Sequence, residues 1–142
     1  MVCGADLVVG QYDRSMKVQG VVWAGVRTDR FDETVRFFRD VLGLPLVDEG
    51  PDAASARLPD SSKFELFGPN DSDHDHFDSG PVPEFLVDDV AEAAAELEAA
   101  GAILLGPPQR LGQEQWVHFR APDGNVYGLT SSPEYRRRAR GE

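Results

Sequence analysis

Apolar and polar positions along the first half of this chain predict a strand, a helix and three more strands. Residues 18–28 are rich in Val and read as a β-strand. Asp29 follows as a candidate helix N-cap, and Gly43 is placed to end the helix. The apolar stripe of this helix is Phe31, Val35 and Phe38. Three short strand candidates come next, bounded by turn residues: 45–49, 53–58 and 63–67.

The second half of the chain repeats this order. A shift of 59 residues places FLVDDVAEAAAEL, which begins at Phe85, on VRTDRFDETVRFF, which begins at Val26. The apolar stripe is reproduced, because the positions that match the first helix are Val90, Ala94 and Leu97. Self-similarity of this kind predicts two copies of one βαβββ module.

The last strands of the two halves match at a slightly different offset. A shift of 63 residues places PDGNVYGL (122–129) on PDSSKFEL (59–66), and Arg120 on Arg57. The Arg match predicts that both side chains brace a sheet edge. The chain is therefore expected to form one α+β domain over residues 18–131, with modules 18–68 and 81–131 and a linker over 69–80. A loosely attached N-terminal arm (1–17) and a solvated basic C-terminal tail (132–142) would flank it.

Composition narrows the function classes. The net charge of −11 disfavours binding to nucleic acid, since an acidic surface repels phosphates. One cysteine excludes an internal disulfide and a thiolate-rich zinc site. No apolar run is long enough to span a membrane, and the N-terminus lacks the layout of a secretory signal. We expect a cytoplasmic protein that acts on neither membranes nor nucleic acids.

The duplication and three stretches of text resemble one family. These are FDETVRFFRDVLGL, FLVDDVAEAAAELEAAGA and FRAPDGNVYGL, and together they resemble the vicinal oxygen chelate superfamily of glyoxalase I, extradiol dioxygenases and bleomycin-resistance proteins. The resemblance spans residues 18–131. It implies two tandem βαβββ modules whose sheets curl around a shared cavity, with the helices outside, and a homodimer. It leaves function open, because the scaffold hosts both metal enzymes and metal-free drug-binding proteins.

The resemblance also implies four metal-ligand positions, two in each module. They fall at Trp23 and Glu65 in the first module and at Val82 and Gly128 in the second. Only Glu65 carries a group that binds divalent cations, and one carboxylate does not hold such an ion. We therefore expect no metal and no other cofactor. The Asp- and His-rich linker lacks the features of a calcium loop and is expected to bind metal only adventitiously.

Strand alternation indicates what lines the cavity instead. Side chains two residues apart share a face, which places Glu84 beside Trp23 and leaves Trp116, His118 and Arg120 on the concave side. The predicted ligand-binding residues are Trp23, Glu65, Glu84, Trp116 and His118. Indoles and carboxylates favour a planar or cationic organic ligand.

Each of these residues also has a structural interpretation. The two tryptophans are suited to core packing, and Glu65 to an ion pair with a neighbouring Arg. Glu84 could end a strand in solvent, and His118 could be a structural histidine with satisfied hydrogen bonds. The leading hypothesis is a metal-free protein that sequesters or carries a small organic molecule. The alternative is a lyase, isomerase or dioxygenase with a non-standard metal site or with acid–base catalysis by Glu65 or His118.

Overall fold

The computed structural model describes residues 16–141, and these form a nine-stranded sheet with three helices. The first module contains β1 (Val21–Arg27), α1 (Phe31–Asp40), β2 (Val47–Asp48), β3 (Ala53–Arg57) and β4 (Lys63–Phe67). The second contains β5 (Val82–Leu86), α2 (Val90–Ala99), β6 (Ile103–Leu104), β7 (Gln109–Leu111), β8 (Glu114–Arg120) and β9 (Val126–Ser131). A third helix, α3, follows at Pro133–Ala139.

Strand order confirms the predicted pair of βαβββ modules. The sheet runs β2-β3-β4-β1-β5-β9-β8-β6, and β7 pairs with β8 as an addition that the sequence pattern did not predict. In each module the first and last strands are parallel, β1 with β4 and β5 with β9. The two modules meet where β1 and β5 pair antiparallel. The result is a curled sheet in the form of a half-barrel.

Strand register reproduces both sequence offsets. Gly25 lies opposite Glu65 in the first module, and Glu84 lies opposite Gly128 in the second. Gly25 thus corresponds to Glu84 at the offset of 59, and Glu65 to Gly128 at the offset of 63. Each module carries one glycine and one glutamate at this cross-strand pair, in opposite order.

The helices cover the convex face of the sheet, as the family resemblance implied, and they pack on it through the predicted apolar stripes. Phe31 and Val35 of α1 pack in one core cluster with residues of β3 and β4, and Val90 and Ala94 of α2 pack in a second cluster with residues of β8 and β9. A third cluster joins the two modules and consists of Trp23, Phe67, Phe77, Val82 and Val126. Burial of these apolar side chains drives the assembly of the sheet.

The start of α1 differs from the prediction. Its N-cap is Arg30, without a side-chain cap, while the Arg30 N–H donates to Thr28 Oγ1 at 3.0 Å. Asp29 therefore does not cap the helix. Asp89, which corresponds to Arg30, does cap α2, since its Oδ1 accepts the Glu92 N–H at 2.9 Å.

The structure describes only the end of the predicted arm, and it corrects the prediction of a solvated tail. Most of the arm lies outside the described residues, but Met16 packs against the second core cluster and its N–H donates to Glu96 Oε1 at 2.9 Å. The segment predicted as a solvated tail contains α3, which buries Tyr135 under the guanidinium of Arg57. Arg57 also forms an ion pair with Glu134 at 3.3 Å. Within residues 16–141, no helix is long and apolar enough to cross a membrane.

Candidate functional site

One cavity on the concave side of the sheet collects all five residues predicted to bind a ligand. Its volume is about 320 Å³, and Trp23, Glu65, Glu84, Trp116 and His118 all line it. The remaining lining residues come from both modules, the linker and α3: Glu49, Lys63, Phe67, His74, Leu111, Glu114, Thr130 and Tyr135. The volume suits a small organic molecule. The binding role of the five residues stays a prediction.

In the first module, Trp23 and Glu65 are tied together. Trp23 Nε1–H donates to Glu65 Oε1 at 2.9 Å, and the indole covers Gly25, where any added Cβ would overlap the ring. Lys63 Nζ lies 3.6 Å from the same carboxylate oxygen. Glu65 therefore pairs with a lysine and not with the arginine that the sequence interpretation expected.

In the second module, a buried acid meets a buried histidine. Glu84 is 5% exposed, so its alternative role as a solvent-exposed strand end is wrong. Glu84 Oε2 lies 2.8 Å from Nε2 of His118, which is 8% exposed. The pair has room because residue 128 is glycine: a Cβ there would lie 2.6 Å from Glu84 Cγ.

Burial sets the protonation of this pair. Burial away from water is the main cause that raises the pKa of Glu84 to about 8, and the nearby charge of Glu65 is the second. Burial lowers the pKa of His118 to about 4. Both shifts favour the uncharged forms, and in that state the Glu84 carboxyl O–H donates to His118 Nε2.

The linker contributes to the site, which the sequence pattern did not indicate. Phe77 is buried against Trp23, and His76 Nε2 lies 3.0 Å from His118 Nδ1. His74 stacks on Phe67 with ring centroids 3.6 Å apart. A single aromatic residue inside a polar segment, with two histidines just before it, was the available signal.

The matched arginines are structural braces, as the repeat predicted. Arg57 Nη1 donates to the carbonyl of Ser61 at 2.8 Å, and Arg120 Nη1 donates to the carbonyl of Gly124 at 2.9 Å. Arg120 also pairs with Asp78 at 3.0 Å. Arg120 is not among the residues that line the cavity.

The four positions that the family resemblance assigns to metal ligands do not fit a metal ion. Val82 and Gly128 have no donor atom, and the Trp23 N–H occupies an oxygen of Glu65. Among residues 16–141, no three His, Cys, Asp or Glu side chains are placed to hold an ion together. This includes the Asp and His residues of the linker.

Comparison with known proteins identifies the family. The family model described as Glyoxalase/Bleomycin resistance protein/Dioxygenase superfamily matches residues 20–128, and the chain belongs to this superfamily. No curated protein shows a significant sequence match to the chain.

Several solved structures share the fold. The Mn(II)-bound glyoxalase from Novosphingobium aromaticivorans superposes with a TM-score of 0.65 at 23% identity, over 82% of this chain but 40% of the glyoxalase chain. Methylmalonyl-CoA epimerase from Mycobacterium tuberculosis gives 0.63 at 20% identity, over 87% of this chain and 95% of the epimerase. A Legionella pneumophila protein described as an NAD-dependent benzaldehyde dehydrogenase gives 0.57 at 12% identity, over 78% and 97% of the two chains. These identities establish the fold, and the printed activities differ among the three proteins.

Proposed function

We propose that the cavity binds a small organic cation that carries an aromatic ring, without a metal ion at the family's ligand positions. The observation that carries the proposal is the composition of the cavity wall. It presents two indoles, Trp23 and Trp116, together with the four carboxyl groups of Glu49, Glu65, Glu84 and Glu114. Lys63 is the single Lys or Arg in that wall.

Charge and shape both favour this ligand class. A cation over the face of an indole gains roughly 0.5 to 2 kcal/mol of interaction energy, and the gain is larger where water is excluded. The carboxylate of Glu65 is half-buried beside Trp23, so one ligand could contact both groups. An anionic ligand would meet the carboxyl groups instead and would be repelled.

A screen of aromatic amines and quaternary ammonium compounds tests the proposal, with neutral and anionic analogues of the same rings as matched controls. Cations should raise the melting temperature, because a ligand that binds only the native state stabilises it. They should also change the tryptophan emission, since both tryptophans of the chain line the cavity. A preference for the anionic analogues would refute the proposed charge selectivity.

Variants locate the binding site. Glu65→Gln and Trp23→Ala should each weaken a cationic hit by about 1 to 3 kcal/mol, through the loss of a charged partner or of stacking area. Asp73→Asn is the control, because Asp73 is an exposed linker residue outside the cavity wall. A hit that is insensitive to both cavity variants binds elsewhere.

The expected homodimer and cytoplasmic location stay predictions.

A second candidate function is acid–base chemistry on the bound molecule. The observation that favours it is the buried contact of Glu84 with His118, whose pKa values are shifted in opposite directions. A lyase or isomerase reaction would draw on such a pair. Conversion of a cationic hit into a new product, lost in Glu84→Gln, would favour this candidate over simple binding.

A further inference from the structure

Three side chains form a hydrogen-bonded line from the buried cavity wall to the linker. Glu84 Oε2 lies 2.8 Å from His118 Nε2, and His118 Nδ1 lies 3.0 Å from His76 Nε2. Both ring nitrogens of His118 are therefore engaged, each with a different titratable group. His76 is half-buried and lies on the linker between the exposed Asp75 and the buried Phe77.

We propose that Glu84, His118 and His76 form a proton relay that connects the cavity to solvent at the linker. A histidine that only stabilises the fold needs no second imidazole at its other ring nitrogen. The contact of His118 with His76 therefore indicates more than a structural role. The inference deepens the proposed binding function and rests on it for the ligand. Its test needs no ligand, so the two can fail separately.

The proton transfer balances along the line. In the protonated state the Glu84 O–H donates to His118 Nε2, the His118 Nδ1–H donates to His76 Nε2, and His76 carries its own proton on Nδ1. When the His76 Nδ1 proton leaves to water, the other two protons each move to the next atom along the line. His76 then holds a proton on Nε2, His118 holds one on Nε2, and Glu84 is a carboxylate. Both imidazoles remain neutral, and one proton has left the protein.

Charged groups around the relay act on Glu84 and His76, its two ends. Glu65 and Glu114 oppose ionisation of Glu84, whereas Lys63 and His74 favour it. At the outer end, burial is the main cause that lowers the pKa of His76; the charges of His118, His74 and Arg120 lower it further, and Asp75 raises it. A cation entering beside Glu65 would offset the repulsion between the carboxylates, and one proton would leave through His76.

Nitrogen-15 spectroscopy of the histidine rings tests the relay in the full chain without ligand. The chain has three histidines, so ring signals can be assigned from single variants. As the pH is raised through the Glu84 pKa of about 8, His118 should switch from the Nδ1–H to the Nε2–H tautomer. His76 should make the same switch in the same titration. A fixed His118 tautomer, a cationic His118 at neutral pH, or a His76 that titrates independently would overturn the relay.

Three variants separate the relay from general effects of pH. Glu84→Gln should abolish the switch, because the amide cannot ionise and keeps donating to His118 Nε2. His76→Phe should abolish the coupled transition by removing the exit of the line. Asp73→Asn should retain the switch, since Asp73 is an exposed residue of the same linker and lies outside the cavity wall. Loss of the switch in Asp73→Asn would contradict the route. The wild-type titration stands by itself if a variant does not fold.

Discussion

Gly128 and Glu84 face each other across the β5–β9 ladder, and the absence of a side chain on one makes room for the other. A Cβ at position 128 would lie 2.6 Å from Glu84 Cγ and 3.0 Å from His118 Cδ2. The family resemblance assigns a metal-binding acid to position 128. In this chain that space holds the Glu84–His118 pair.

Gly128→Ala should therefore destabilise the protein by about 1 to 3 kcal/mol, the usual cost of overpacking a tight site. Urea unfolding followed by tryptophan fluorescence measures the change. Gly20→Ala is the matched control, because its nearest atom would be 3.9 Å away. Equal stability of the two variants would mean that the pair can move aside at no cost.

The free energy of unfolding should fall as the pH rises from 6.5 to about 8. The pKa of Glu84 is about 8 in the folded protein and near its ordinary 4.5 when unfolded, so between these values only the unfolded chain releases the proton and stability declines. His118 acts in the opposite direction between about 4 and 6.5, because only the unfolded chain is protonated there. Above pH 6.5 the contribution of Glu84 remains, and it lowers the free energy of unfolding by up to about 1.4 kcal/mol per pH unit.

Urea titrations at several pH values test this profile. Glu84→Gln should remove the decline between 6.5 and about 8, since the amide does not titrate. Stability that is constant or rises over that interval in the unchanged protein would contradict the burial of a neutral Glu84.

Purified protein without an affinity tag should carry less than one Zn, Ni, Mn or Fe ion per chain. The physical reason is that Val82 and Gly128 offer no donor and Glu65 alone does not chelate. A chelator should leave the melting temperature unchanged. Elemental analysis that finds one ion per chain, lost in Glu65→Gln, would refute the proposal of a metal-free site.

Phe77→Ala should cost about 3 to 5 kcal/mol, the range for emptying a buried aromatic site. Phe77 is 3% exposed and packs on Trp23 although it lies in a polar linker. Phe37→Ala is the matched control, because Phe37 is 52% exposed and should change stability by less than about 0.5 kcal/mol. A small effect of Phe77→Ala would mean that the linker is not part of the folded core.

Strand alternation explains how much of the site could be predicted from the sequence. Alternation correctly placed Trp23, Glu84, Trp116 and His118 on the concave side, because the period of a strand is a local property. It placed Arg120 on the same face, and Arg120 does not reach the cavity because its side chain binds Asp78 of the linker and the Gly124 carbonyl. The partner of each residue depends on strand register and loop path, and neither follows from alternation.

The sequence by itself determined the duplicated βαβββ architecture, since two offsets, 59 and 63, recur as strand registers at Gly25, Glu65, Glu84 and Gly128. It also determined that three of the four positions that the resemblance assigns to metal ligands, Trp23, Val82 and Gly128, carry no metal-binding side chain. Only the tertiary structure decided that the linker returns over the cavity to place His76 on His118, and that α3 brings Tyr135 to its wall. The reason is physical: local periodicity sets which face a side chain takes, whereas long-range packing sets what it meets there and how far from water it lies.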